Sequence, residues 1–299
     1  LFHLLASMVN SNYSHIICIL LLSLCLIGCG HEDIDHTKMV VEGWIDAGRH
    51  PIVMLHTSYS LDASSDPDNT QLLDVLEEHM VLFVKVVLFD GEDSVILTGR
   101  VDTNYLPPYI YTTTKMRGEV GKSYSLHATY KDFSAKSKTI IPEKAIFDSI
   151  RTCVNNQKVN VIGYANQLEI GEPYIIMART TKDKQYKICP MGTFRASQKQ
   201  LKLTINNPIN FTGEGMMLQT LFPQTDSIDI VIKFAKVGEA EYQFWDSYIA
   251  QNLTQGLFFM ETHSNIISNI QDGNGYWCGM GAFEYTIKLS QDSVYTFDN

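Results

Sequence analysis

Positive charge is scarce in this sequence of 299 residues, which has 23 Lys and Arg against 33 Asp and Glu and a formal net charge of −10. A protein that binds nucleic acid needs a basic surface for the phosphates, so this balance argues against a nucleic-acid partner. Glycine and proline number only 19 and 9, too few for a collagenous or low-complexity chain. Aromatic residues, at 11%, are too frequent for a chain that is mainly disordered. The sequence therefore predicts a folded, acidic protein.

The sequence also lacks the short motifs of common catalytic sites. It has no G-x-S-x-G nucleophile elbow, no phosphate-binding P-loop and no H-E-x-x-H zinc motif. The stretch from Gly273 to Gly281 comes near the dinucleotide fingerprint G-x-G-x-x-G, but Cys278 occupies the position of the third glycine. We therefore predict no catalytic residue, no metal site, no cofactor and a protein that is not an enzyme. An envelope hydrolase is the least favoured alternative.

Charged residues are absent from the first 28 positions, which contain one nearly unbroken apolar run from Ile16 to Ile27. These twelve residues span about 18 Å as a helix, short of the roughly 30 Å hydrocarbon core of a bilayer. The length suits the apolar segment of a secretory signal peptide, which we assign to residues 1–28. One feature departs from that pattern, since no Lys or Arg precedes the apolar run.

The sequence Leu26-Ile27-Gly28-Cys29, at the end of this run, resembles the lipobox of bacterial lipoproteins. The resemblance implies cleavage after Gly28, a lipid on the thiol of Cys29 and acylation of the new amine, which together make a stable membrane anchor. The alternative is an ordinary signal cleavage site with an incidental cysteine. Residues 29–37 then form an acidic tether. Acidic residues behind the lipidated cysteine are similar to an export signal of surface lipoproteins, or they only keep the tether solvated.

Three cysteines remain beyond the lipobox: Cys153, Cys189 and Cys278. An odd number allows at most one disulfide and leaves one thiol free. Their spacings contain no C-x₂-C pair, so they do not indicate a zinc site. We expect each of them to be a small buried residue of the core.

From residue 38 onward, short segments rich in β-branched and aromatic residues are separated by turn residues, which is the pattern of strands. About seven such segments fall within residues 38–142, and this predicts an N-terminal immunoglobulin-like β-sandwich that ends at Pro142. We place a second β-rich domain at residues 143–299. Its clearest predicted strands are 174–180, 200–205, 228–234 and 283–289. The predicted fold class is mainly β.

One amphipathic helix is predicted over Glu239–Leu253, because Tyr242, Trp245 and Ile249 recur there at helical spacing. We expect Trp245 to be a core residue. Residues 265–281, rich in glycine and asparagine, are instead predicted to form a loop and a turn into the last strand. Within them Tyr276 and Trp277 are possible ligand contacts, since aromatic rings exposed in loops often serve recognition. The alternative is a turn with only a structural role.

Four segments together resemble one known family. They are Val40-Val41-Glu42-Gly43-Trp44-Ile45 behind the lipobox, the stretch from Tyr124 to Pro142 ending in Thr139-Ile140-Ile141-Pro142, the aromatic helix around Trp245, and Ser268-Asn269-Ile270-Gln271-Asp272-Gly273-Asn274-Gly275. Their order and spacing resemble the lipoproteins of Gram-negative bacteria that contain domain of unknown function 4249. The resemblance extends from about Met39 to Leu289. It implies a location and a partner, because genes of this family are similar in setting to partners of TonB-dependent outer-membrane receptors, and it implies no catalytic residue.

From these features we expect an outer-membrane protein, anchored through the lipid on Cys29 and exposed at the cell surface or facing the periplasm. Its expected role is to capture a ligand, or to serve as an accessory of a TonB-dependent receptor, without catalysing a reaction. The alternative is a structural or adhesive envelope lipoprotein that binds no small molecule.

Overall fold

A computed structural model describes the chain over ten ranges: 38–58, 79–105, 108–155, 158–181, 187–205, 209–212, 217–220, 228–254, 266–289 and 293–296. The first nine strands are β1 (Met39–Asp46), β2 (Ile52–Thr57), β3 (Lys85–Phe89), β4 (Ser94–Ile96), β5 (Thr98–Val101), β6 (Tyr109–Thr112), β7 (Ser123–Tyr130), β8 (Phe133–Ile140) and β9 (Ser149–Asn155). The others are β10 (Lys158–Ala165), β11 (Pro173–Thr180), β12 (Lys187–Arg195), β13 (Leu201–Ile205), β14 (Ile209–Thr212), β15 (Met217–Thr220), β16 (Ile228–Lys236), β17 (Asn274–Leu289) and β18 (Ser293–Thr296). A helix, α1, covers Glu239–Thr254.

The largest sheet has eight strands in the order β12-β11-β16-β17-β1-β2-β6-β5, and we call it the central sheet. Its long strand β17 has two different neighbours. Residues 274–280 pair in parallel with β1, whereas residues 281–289 pair antiparallel with β16. Strands from the beginning and the end of the described chain therefore share one sheet through β17.

Two four-stranded sheets, β4-β3-β7-β8 and β13-β10-β9-β18, pack against one face of the central sheet. Trp277 and Tyr285 of β17 project to the same face because an even number of residues separates them. Trp277 belongs to the first core, under β4-β3-β7-β8, and Tyr285 to the second, under β13-β10-β9-β18. The predicted mainly β fold, with a sandwich in its N-terminal part and, among the described residues, one long helix, is confirmed.

The opposite face of the central sheet is covered in part by α1, and we call it the helix-side face. Phe244 and Trp245 of the helix are buried against Tyr276, Cys278 and neighbouring residues of β17 in a third apolar cluster. The prediction that Trp245 is a core residue is confirmed. The buried stripe of the helix differs from the predicted one, since Phe244 rather than Ile249 lies buried beside Trp245.

The loop predicted over residues 265–281 ends at Gly273, because residues from Asn274 onward form β17. The glycines of this strand allow another part of the backbone to approach closely. A Cβ atom on Gly279 would lie 2.8 Å from the carbonyl oxygen of Ile140, and one on Gly281 would collide with the carbonyl oxygen of Glu143. Glycine is therefore frequent in this segment because another stretch of backbone lies against β17, and not because the segment forms a turn.

The boundary predicted near Pro142 lies between the first and second cores, on the face of the central sheet opposite the helix-side face. Ile141 belongs to the first core and Ala145 to the second. Residues 38–142 and 143–299 are nevertheless not two separate domains. The single strand β17 pairs with strands of both parts, and residues 37–299 form one compact unit. This corrects the predicted division: the physical reason is a late strand whose pairing partners lie on both sides of the boundary.

Candidate functional site

The helix-side face contains a buried ion pair between the last residue of β1 and the middle of β16. The Lys233 Nζ atom donates a hydrogen bond of 2.5 Å to Oδ2 of Asp46 and lies 3.9 Å from the sulfur of Met280. Only 2% of the lysine side chain and 8% of the aspartate side chain are exposed. Removing two such charges from water costs several kcal/mol per ion, and their mutual attraction offsets much of this cost. Each charge therefore needs the other, because either one alone would be buried without a compensating partner.

The second carboxylate oxygen of Asp46, Oδ1, is buried and has no hydrogen-bond partner within the part of the chain that the structure describes. Leaving a buried polar atom in this state costs about 1–3 kcal/mol. A carboxylate oxygen has two lone pairs, so Oδ1 has full capacity to accept a donor. The ion pair thus presents one acceptor that the fold itself does not use.

Two half-buried aromatic rings belong to the same region. Trp44 precedes Asp46 by two residues in β1 and projects to the same face. The centroid of its indole ring lies 6.2 Å from that of Tyr105, with the ring planes tilted by 42°. Burial raises the pKa of Tyr105, and the charges of Asp102 and Asp46 act in the same direction. The Tyr105 hydroxyl is therefore neutral at physiological pH and able to donate a hydrogen bond.

Two further pairs of polar side chains lie on the helix-side face on either side of Asp46. Towards the start of β1, Oε1 of Glu42 lies 3.4 Å from Nε2 of His56. Beyond its end, Nη2 of Arg49 lies 3.4 Å from Oε2 of Glu284. Both pairs are partly exposed, so each contributes little to stability. Together with Asp46 and Lys233 they make this face polar at positions that α1 does not cover.

Beneath α1 the same face is aromatic and closed. The ring centroid of Tyr276 lies 4.7 Å from that of Phe244 and 4.7 Å from that of Trp245. Burial raises the pKa of Tyr276 and that of the Cys278 thiol well above their ordinary values. Because a nucleophilic cysteine must be a thiolate, Cys278 is a structural residue. The prediction of a buried cysteine is confirmed for Cys278, which is free, whereas the side chains of Cys153 and Cys189 lie outside those described.

A buried acid connects α1 to the first sandwich. The hydroxyl of Thr139, in β8, donates a hydrogen bond of 2.6 Å to Oε1 of Glu241 in the first turn of the helix. The same hydroxyl oxygen accepts a bond of 2.8 Å from the backbone N–H of Gly279. Burial raises the pKa of Glu241, and the Thr139 hydrogen bond opposes this only in part. Glu241 is therefore an internal link between α1, β8 and β17.

The structure corrects the prediction that Trp277 is an exposed aromatic ring in a turn. Trp277 lies within β17 and is completely buried in the first core. The side-chain amide of Asn269 donates to its backbone carbonyl oxygen (2.8 Å) and accepts from its backbone N–H (2.9 Å). Tyr276 projects to the opposite face and is 8% exposed beneath α1. Neither ring is placed to meet a ligand from solvent, because the segment is a strand covered on both faces.

The remaining site residues of the sequence analysis, Gly28 and Cys29, lie outside the described residues. Sequence reasoning missed the aspartate–lysine pair. A signal was present for one partner, since Lys233 stands in a strand whose neighbours Ile232 and Phe234 are apolar. A lone lysine in a strand buried on both faces needs a carboxylate partner. Nothing in the sequence identified Asp46 as that partner, because it also suits the start of a turn.

No group of three or more His, Cys, Asp or Glu side chains within the described residues is arranged to hold a metal ion. Over the same ranges, no helix combines the length and the apolar character needed to span a bilayer. Comparison with known families gives one match: the sequence model of a domain of unknown function (DUF4249) matches residues 30–286. A search among curated proteins gives no match.

Proposed function

Since the chain belongs to the DUF4249 family, whose activity is unknown, we propose that it is a lipid-anchored protein of the bacterial outer membrane. Its proposed role is to capture a small ligand or to serve as an accessory of a TonB-dependent receptor. In this proposal the protein binds and presents the ligand without transforming it. The anchor is the lipid on Cys29, supported by the uncharged segment 1–28 and by the Leu26-Ile27-Gly28-Cys29 sequence that follows its apolar run.

The observation that carries the binding role is the buried, unpaired acceptor Oδ1 of Asp46, which lies on the same face of β1 as Trp44 of the Trp44–Tyr105 ring pair. An acceptor of fixed position favours a ligand with a hydroxyl or amine donor, and half-buried aromatic rings favour one with a flat apolar face. Lys233 holds the carboxylate in place through its hydrogen bond to Oδ2. Sugars and aromatic amines have this combination of features.

The experiment for the binding role is native mass spectrometry of the protein purified from its own outer membrane. We expect a bound small molecule on the wild-type protein that is lost from the Trp44→Ala variant. Asp90→Asn is the matched control, because Asp90 belongs to a separate ion pair with Lys122 in the first sandwich. A spectrum without a bound molecule, in the wild type as in Trp44→Ala, would favour the structural or adhesive role instead.

The experiment for the anchor and the receptor uses the same membranes. Labelled palmitate should enter the wild-type chain and not Cys29→Ser, and an affinity tag on the wild-type chain should co-purify a TonB-dependent receptor. If palmitate still enters Cys29→Ser, the anchor is wrongly assigned. If no receptor is recovered under conditions that preserve the bound ligand, the accessory role is rejected while ligand capture stands on the first experiment.

A further inference from the structure

Phe83 has two features that do not contribute to the stability of the fold. Its side chain is 89% exposed, the highest value among the large apolar residues that the structure describes as exposed. Its backbone is left-handed, with φ of 60°. A bulky residue rarely adopts this conformation, which becomes significant when the ring gains no packing in return. Such an outlier at an exposed aromatic residue indicates a role in binding.

The loop around Phe83 is fixed on both sides. Val81 and Val84 are buried in the first core. The Tyr111 hydroxyl donates a hydrogen bond of 2.9 Å to the carbonyl oxygen of Val81 and accepts one of 3.0 Å from the N–H of Val84. The backbone N–H of Val81 also donates to the carbonyl oxygen of Leu55 in β2. The fold therefore fixes the backbone on both sides of Phe83, and the Phe83 ring is exposed to solvent.

Two lysine residues lie at the same end of the sandwich as Phe83. Lys85 is the first residue of β3 and pairs with Thr129, next to the β7–β8 hairpin turn that contains Lys131. Both lysines are exposed. The strand register therefore places Phe83 and two cations at the same end of the sheet β4-β3-β7-β8.

The chain enters the fold at the same end. Exposed Lys38 precedes β1, and its backbone N–H and carbonyl bind Ser58, which directly follows β2. The end of β2 is also where Val81 attaches. We call Lys38, Phe83, Lys85 and Lys131 together the tether end. Among the residues that the structure describes in the adjoining turns, Asp132 and Asp272 are acidic and exposed.

We propose that the tether end docks on an anionic lipid surface, with the ring of Phe83 inserted at the level of the headgroups. Lysines near such a surface are attracted to the headgroups, and aromatic rings favour the interface between headgroups and acyl chains. The proposal rests on the proposed anchor, because Lys38 follows Cys29 by nine positions, a stretch of chain that reaches at most about 32 Å. A bilayer that holds Cys29 therefore lies within reach of this end.

The test separates docking from lipidation by using the mature chain with Cys29→Ser and added vesicles. Vesicles of phosphatidylcholine alone are compared with an equimolar mixture of phosphatidylcholine and phosphatidylglycerol. Phe83→Ser should weaken binding to the mixed vesicles about tenfold, the effect of removing one buried aromatic ring. Phe89→Ser is the matched control, since Phe89 is exposed at the other end of β3, and it should bind as the parent does. Equal affinity of the two variants would overturn the proposal.

Depth is measured with added tryptophan in the lipidated protein. In mixed vesicles containing brominated lipid, the extra fluorescence of Phe83→Trp should be quenched and that of Phe89→Trp should not. Equal quenching overturns the proposed orientation. If Phe83→Ser binds vesicles unchanged but no longer co-purifies an outer-membrane protein, the tether end is a protein interface and the lipid proposal is wrong. A failure of palmitate labelling would instead concern only the anchor, because the vesicle comparison does not require it.

Discussion

The indole N–H of Trp277 donates a hydrogen bond of 3.1 Å to the backbone carbonyl oxygen of Tyr124. The bond crosses the first core, from β17 of the central sheet to β7 of the sheet that faces it. Gly43, the residue paired with Trp277 in β1, leaves space for the ring, since a Cβ atom there would lie 2.9 Å from it. Trp277, from the last long strand, thus fills the first core and hydrogen-bonds its two sheets together.

Replacing Trp277 should therefore damage the fold rather than a surface. We expect Trp277→Ala to lower the free energy of unfolding by about 3–5 kcal/mol, as for other large buried aromatic residues. Urea denaturation measures this change. Phe83→Ala removes an exposed ring and should stay within about 0.5 kcal/mol of the wild type. A Trp277→Ala variant as stable as wild type would contradict the burial described here.

Gly281 should tolerate no side chain, because the backbone at Glu143 occupies the space of its Cβ atom. We expect Gly281→Ala to destabilise the protein by more than about 1–3 kcal/mol, the range for overpacked positions. Gly171→Ala is the control. Its φ of 87° makes alanine strained, but its Cβ would meet open space, so the cost should be only about 1 kcal/mol. Thermal unfolding of the two variants should therefore give clearly different midpoints.

The buried acid Glu241 should make stability depend on pH. Its pKa is 4.5 in an unperturbed chain, and burial raises it in the fold. The folded state then holds this proton to higher pH than the unfolded state does. The contribution of Glu241 is therefore greatest below about pH 4.5 and decreases as pH rises towards the folded pKa. Glu241→Gln keeps an acceptor for Thr139 and should gain stability relative to wild type as pH increases.

The control for this pH dependence is Glu239, in the same helical turn. Hydrogen bonds from Arg195 and Gln243 lower its pKa. Glu239→Gln should accordingly lose stability relative to wild type above the unfolded pKa, the opposite sign. Denaturation series at acidic and neutral pH measure both differences. Parallel curves for Glu241→Gln and wild type would show that the acid is solvated in solution.

The aspartate–lysine pair should show strong coupling between its two members. Lys233→Met leaves the Asp46 carboxylate buried without its cation and should cost about 3–5 kcal/mol. The double variant Asp46→Asn with Lys233→Met removes both charges and should recover most of that loss. A double-mutant cycle by urea denaturation measures the coupling. Additive losses would mean that water reaches the pair and screens it.

The sequence predicted the elements whose pattern is local. The strands predicted at 174–180 and 228–234 and the helix at Glu239 follow from residue spacing alone, and the structure confirms them. Trp245 was placed correctly in the core because helical periodicity shows which residues share a face. Local pattern also suggested the end of the first core at Pro142, since proline interrupts a strand.

The strand pairings of β17 could not be predicted from the sequence. Glycine at positions 279 and 281 predicts a turn, because the sequence does not show that the backbone of Ile140 and Glu143 lies against this strand. That misplacement put Trp277 at the surface instead of in the core. The Asp46–Lys233 pair joins strands far apart in the chain, and no spacing rule connects them. Contacts set by topology, unlike those set by periodicity, leave no trace in a single sequence.

The parallel pairing of β1 with β17 also determines when the protein can fold. Val40 pairs with Asn274, so β1 lacks one of its two neighbours until the residues from Asn274 onward have been synthesised. A fold dominated by such distant pairings forms slowly, because a long loop must close before its contacts are gained. The central sheet is therefore completed late in folding. A chain truncated before Asn274 would expose a bare strand edge prone to aggregation.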